Sequence, residues 1–113
     1  MSCKSKRSKA CEIKSSVKQK VWERQGGRSI ISGVPINVSD CCCHYVPRSK
    51  GGLGIEQNIV GMTWNEHRIF DNNIVGASFQ VYKKMREMAR KHLIEHYPEW
   101  NEESMVYKKW VTI

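Results

Sequence analysis

Residues 41–72, CCCHYVPRSKGGLGIEQNIVGMTWNEHRIFDN, carry the reading of the fold. Cys41 to Val46 reads as an extended piece that stops at Pro47, with Cys41 and Cys42 as strand residues pointing to alternating faces. Arg48 to Gly54 holds three glycines and two cations, the composition of an exposed loop. Asn58 to Met62 is short and apolar. Thr63 then stands as an N-cap for a helix starting at Trp64, with Glu66 at the capping-box position. Strand, loop, strand and helix thus follow one another within one short stretch. If the hairpin folds back on the helix, His44, Asn58 and His67 meet in one site.

Outward from this stretch the chain is more helical. Upstream, Val17 to Arg24 reads as a short helix with Val21 and Trp22 turned inward, ended by Gly26 and Gly27. In Ser29 to Val38 the apolar residues are broken by Gly33 and Pro35, which predicts a knuckle between extended pieces. Downstream, Phe79, Tyr82, Met85, Met88 or Ala89, and Leu93 recur at three- and four-residue intervals from Ser78 to His96, while Lys83, Lys84, Arg86, Arg90 and Lys91 take the other face. Tyr97 and Pro98 end that helix. A last amphipathic piece, Glu102 to Trp110, offers Met105, Val106 and Trp110 for packing, and Trp100 is likewise a packing residue. His92 and His96 read as surface histidines. The class expected is α+β, with a basic, flexible arm over residues 1–16 and one domain over 17–113, divided into a core (21–76) and a helical extension (77–113).

The chain has 113 residues with 19 Lys plus Arg against 11 Asp plus Glu, a net charge of +8. A large multi-domain enzyme is excluded. No run approaches the roughly 18 apolar residues of a membrane span, and no apolar stretch follows the charges of MSCKSKRSKA, so a soluble, cytoplasmic protein is expected. Five cysteines, three of them consecutive, suit free thiols better than a disulfide framework. Lys4, Lys6, Arg7, Lys9, Lys14, Lys18 and Lys20 face the single acid Glu12 within the first 20 residues. Such charge points to a polyanion, because cations that neutralise phosphates release condensed counterions. Of these, Lys4, Lys6, Arg7 and Lys9 are expected to touch nucleic acid; the alternative is a solvated tail.

The stretch from Val21 to Asn72, with CHYVPRSKGG, GIEQNIV and NEHRIFDN in that order, resembles the HNH endonuclease family over about half of the chain. The resemblance implies a ββα-metal core that hydrolyses DNA phosphodiesters with one divalent cation, Mg²⁺, Mn²⁺, Zn²⁺ or Ni²⁺. It makes His44 the general base, Asn58 the residue that holds the loop orienting it, and His67 a metal ligand. The chemistry agrees. An imidazole with a reference pKa of about 6.5 suits proton removal from water near neutral pH. An amide that donates and accepts at once suits pinning backbone across a loop.

Asp71 follows His67 by four residues and shares its helix face, either as a second ligand or as a turn residue facing water. Cys43 occupies the place where many members carry a metal-binding Asp or His. Either its thiolate shifts the metal preference toward soft ions or it does not ligate. Many relatives also frame the core with two Cys-x-x-Cys pairs, which fall here on Ser29 and Ser32 and on Thr63 and Glu66. No structural zinc is therefore expected, and Ile30, Ile31 and Trp64 are the residues expected to hold the hairpin by packing. Arg48, Lys50 and Arg68 flank the site and suit phosphate contacts.

Together these readings imply a small nuclease that nicks or cuts double-stranded DNA with little sequence specificity. Its resemblance is to free-standing bacteriophage members that act in genome processing or packaging. The rival is a catalytically silent DNA-binding module on the same scaffold. It is motivated by the missing zinc cysteines and by Cys43.

Overall fold

The computed structural model describes residues 5–72 and 78–108. Helices α1 (Lys6–Cys11) and α2 (Ser15–Arg24) come first, then strands β1 (Cys43–His44) and β2 (Ile59–Val60), then helices α3 (Trp64–Asn72) and α4 (Phe79–His96). Single 3-10 turns lie at Val38–Asp40, Arg48–Lys50, Glu56–Asn58 and Glu102–Met105. The α+β class is as expected. The strands pair antiparallel, with Cys43 opposite Val60 and His44 opposite Ile59. The Tyr45 N–H donates to the Asn58 carbonyl at 2.8 Å and prolongs the ladder.

Because strand side chains alternate, this short hairpin divides two apolar clusters. Cys43 and Val60 join Phe70 of α3 and Met85, Ala89 and Leu93 of α4 in the larger one. Met85, Ala89 and Leu93 are spaced by four and form the buried stripe of α4, whereas Phe79, where the period read in the sequence begins, is 71% exposed. Ile59 joins Val21 of α2, Ile36 and Cys41 in the smaller one. Ser78 caps α4 by accepting from the Val81 N–H at 3.2 Å. Thr63 and Glu66 form the expected capping box: the Glu66 N–H donates to Thr63 Oγ1 at 3.2 Å and the Thr63 N–H to Glu66 Oε1 at 2.9 Å. No described helix is long and apolar enough to cross a membrane.

Three expectations need correction. Residues 5–16 are not a loose arm: α1 buries Cys11, 1% exposed, against the rest of the protein. Its sequence lacks a large apolar stripe, but backbone hydrogen bonds replace one, since the Gly54 N–H donates to the Ala10 carbonyl at 2.9 Å. A Cβ on Gly54 would collide with the Glu12 carbonyl, so only glycine allows the approach. Among the described residues after 101, only the turn Glu102–Met105 is helical. Val106 then bridges antiparallel to Gly52, and the glycine loop takes up the hydrogen bonds a helix would have made. Trp64 is 68% exposed and belongs to neither apolar cluster. Ile30 and Ile31 do pack against the larger cluster, as does Trp100. Trp110 and the division drawn between residues 76 and 77 lie outside the described residues.

Arg24 ties these layers together. Its guanidinium donates to the Glu56 carbonyl at 2.8 Å, the Ile59 carbonyl at 2.7 Å, the Tyr97 hydroxyl at 3.1 Å and His92 Nε2 at 2.9 Å. An imidazole nitrogen that accepts from a guanidinium carries no proton. Burial, reinforced by the Arg24 and His96 charges, pushes the His92 pKa down to about 4. His92 is therefore a half-buried partner of Arg24 rather than the surface residue its Lys-rich surroundings suggest.

This sets a pH dependence. The folded pKa lies below the unfolded value of about 6.5, so between the two the unfolded chain binds more protons and stability falls as pH is lowered. Urea midpoints should decrease from pH 7 to pH 5, and His92→Gln, which can still accept from Arg24, should flatten the slope. Identical slopes in wild type and variant would remove His92 from this role.

Candidate active site

Asn58 is 0% exposed at the end of the turn Glu56–Asn58, immediately before β2. Its Oδ1 accepts from the Val46 N–H at 2.9 Å, and its Nδ2 donates to the Val46 carbonyl at 3.2 Å and the Leu53 carbonyl at 2.9 Å. The side chain thus acts as a neighbouring strand for Val46 and also fixes the far end of the glycine loop. Each backbone group would otherwise be buried without a partner, at about 1–3 kcal/mol. The loop from Val46 to Leu53 is held closed, and with it the strand that bears His44.

His44 is half-buried beside α1. Its Nε2 lies 2.9 Å from the Cys11 carbonyl oxygen. A carbonyl only accepts, so Nε2 carries the hydrogen and the neutral ring keeps a bare lone pair on Nδ1. Burial pushes the His44 pKa down, helped by the charges of Arg48 and His67 and opposed by the Cys11 carbonyl and Asp71. The ring is consequently neutral near pH 7, the state in which it can accept a proton.

His67, Arg68 and Asp71 of α3, with Trp64, line one hollow of about 170 Å³. Helical spacing places His67 and Asp71 on one face, and both lie near enough to weigh on the charge of His44. Cys43 does not join them. It is 0% exposed within the larger core, where burial first and the Asp71 carboxylate second push its thiol well above the ordinary range. A neutral, buried thiol is a poor ligand. Among the described residues no three His, Cys, Asp or Glu side chains gather as a metal-binding group. His67 and Asp71 are the two residues of these types that line the hollow.

Ser29, Ser32 and Thr63 converge on the Glu66 carboxylate. Glu66 Oε1 accepts from Ser29 Oγ at 2.6 Å as well as from the Thr63 N–H, and the Ser32 side chain also bonds to Glu66. Burial alone would raise the Glu66 pKa, but these hydrogen bonds together hold it below the usual carboxylate value. Glu66 therefore joins the knuckle to α3, the task first assigned to Trp64.

The flanking cations divide. Arg48 reaches the Ser8 carbonyl and hydroxyl, both at 3.3 Å, and Arg7 donates to the Ser49 carbonyl at 3.0 Å, so these two also fasten α1 to the glycine loop. Lys6, Lys9 and Lys50 are exposed. Lys4 lies outside the described residues. Sequence reasoning missed the Cys11 carbonyl, which leaves no side-chain signature; the glycine at 54 is its one trace. It also missed Arg86, which donates to the Tyr45 carbonyl at 2.6 Å and lies over the Tyr45 and Phe70 rings at 4.3 and 4.4 Å. Compared with family models, curated proteins and solved structures, the chain matches none.

Asn58→Asp tests the clamp, because a carboxylate cannot donate to the Val46 and Leu53 carbonyls. Urea unfolding should register a loss of about 2–6 kcal/mol, from two orphaned acceptors at about 1–3 kcal/mol each. A change within error of zero would contradict the geometry. The combined substitution Ser29→Cys, Ser32→Cys, Thr63→Cys and Glu66→Cys should create a site that binds Co²⁺ with thiolate-to-metal absorption and exchanges it for Zn²⁺. A chain that folds but takes up neither ion would mean that the four positions do not converge.

Proposed function

We propose that the chain is a metal-dependent endonuclease of the HNH type, with β1, β2 and α3 as its ββα-metal core and DNA phosphodiesters as its substrate. The observation that carries this reading is the His44 imidazole. Its Nε2 is committed to the Cys11 carbonyl, its Nδ1 keeps a lone pair, and the charges of His67 and Asp71 act on the ring.

His44 Nδ1 removes a proton from a water molecule as its oxygen forms the new bond to phosphorus. The bond from phosphorus to the departing sugar oxygen breaks, and that oxygen takes a proton from solvent. Asn58 keeps the loop, and so the ring, in place. His67 and Asp71 would hold a divalent cation, which would supply charge neutralisation at the reacting phosphate. Arg48 and Arg68 hold the phosphates on either side. The +8 charge supports a polyanionic substrate, and the chain has no recognisable helix-turn-helix or zinc-finger element to read base edges, which favours low sequence specificity. A phage genome-processing role in the host cytoplasm belongs to the same reading. A second reading, a silent DNA-binding module, draws on the burial of Cys43, which among the described residues leaves His67 and Asp71 as the metal donors of the HNH pattern.

Plasmid nicking in Mg²⁺, Mn²⁺, Zn²⁺ or Ni²⁺ separates the two. His44→Ala should lower the rate by about 10²- to 10⁴-fold while DNA affinity stays near that of the wild type. Deleting residues 1–12 should lower the rate as well as the affinity, because the Cys11 carbonyl leaves with the cations. Equal cleavage by His44→Ala and wild type would reject the assignment, and no cleavage by wild type in any of the metals would favour the silent module.

A further inference from the structure

Trp64 begins α3 with 68% of its surface exposed, although the neighbouring core is rich in apolar partners. Trp22 and Trp100 behave differently: each indole N–H donates to a backbone carbonyl, of Ile36 at 2.8 Å and Gln57 at 2.7 Å. The Trp64 ring instead stands nearly perpendicular to His67, with centroids 6.0 Å apart and planes at 83°. It borders the same hollow as His67, Arg68 and Asp71. The hollow therefore sets an exposed indole beside an imidazole, a guanidinium and a carboxylate.

A base inside a duplex is already stacked on both faces and offers only its edges in the grooves. An indole face gains stacking energy only from a base that has left the stack, and that gain is tolerant of sequence. We propose that Trp64 is the stacking platform for an unpaired nucleobase adjoining the scissile phosphodiester, so that the favoured substrate is DNA that is single-stranded or locally unpaired at the cut. The proposal rests on the nuclease reading above and narrows its substrate class. The basic surface attracts the strand, Arg68 takes a phosphate, and Trp64 selects for the unpaired base.

The test is fluorescence anisotropy with the full chain in EDTA, where nothing is cut. The probes are a short paired duplex, the same duplex with one unpaired thymidine, and the same duplex with an abasic nucleotide at that place, all at one salt concentration. Wild type should bind the unpaired-thymidine probe about 5- to 150-fold more tightly than the abasic one, the range expected for one stacked base. Trp64→Ala should bring the ratio close to unity, Trp64→Phe should keep part of it, and Trp64→Leu, which is apolar but has no π face, should lose it. Circular dichroism selects the variants that remain folded. A ratio near unity in wild type, or one unchanged in folded Trp64→Ala or Trp64→Leu, overturns the proposal. If plasmid cleavage still depends on His44 in that case, the stacking role alone has failed; if wild type neither binds nor cleaves DNA, the nuclease reading fails with it.

Discussion

A single buried amide governs the geometry of the proposed site. Asn58 closes the loop between the strands by occupying both backbone groups of Val46 and the carbonyl of Leu53. Two strands of two residues each have too few ladder bonds to define a register by themselves. With Asn58 in place, Cys43 turns into the larger core and His44 turns to the opposite side, toward α1. A shift of one residue would exchange them, burying an imidazole and exposing a thiol. The position of His44 is thus a consequence of hydrogen bonds made by a residue fourteen positions away.

The glycine loop extends that constraint to the N-terminal segment. Gly52 lies so close to the Val46 carbonyl, and Gly54 to that of Glu12, that a side chain at either would clash. Close approach lets backbone meet backbone: Gly54 bonds to Ala10, and Gly52 and Leu53 lie beside Val106 and Met105. The segment with the highest density of cations becomes part of the site wall. Its Cys11 carbonyl chooses the tautomer of His44, while Lys6 and Lys9 stay exposed.

Charge is divided in a way that the net value of +8 conceals. Arg24 and Arg86 are half-buried and satisfy backbone carbonyls and aromatic faces. Planar guanidinium groups with several donors suit such work, whereas an ammonium could not span the same acceptors. Lys6, Lys9, Lys50 and the lysines of α4 are exposed instead. Arg24 and Arg86 serve architecture and these lysines the surface, while Arg68 lines the hollow beside His67 and Asp71.

What the sequence determined by itself was whatever depends on neighbours along the chain. The capping box at Thr63 and Glu66, the Ser78 cap and the fourfold spacing of Met85, Ala89 and Leu93 are local relations, and α3 and α4 follow from them. The order of strand, glycine loop, strand and helix was legible for the same reason, as was the shared face of His67 and Asp71. Tertiary structure alone decided which residues meet across the chain. It placed the Cys11 carbonyl on His44, drew His92 to Arg24, sealed Cys43 in the core and left Trp64 outside. It also gathered Ser29, Ser32 and Thr63 onto Glu66. A backbone carbonyl has no side chain to announce it, and burial is a property of packed layers rather than of residue type. Pattern therefore named the candidate residues, while packing set the protonation, the exposure and the partners that give each its chemistry.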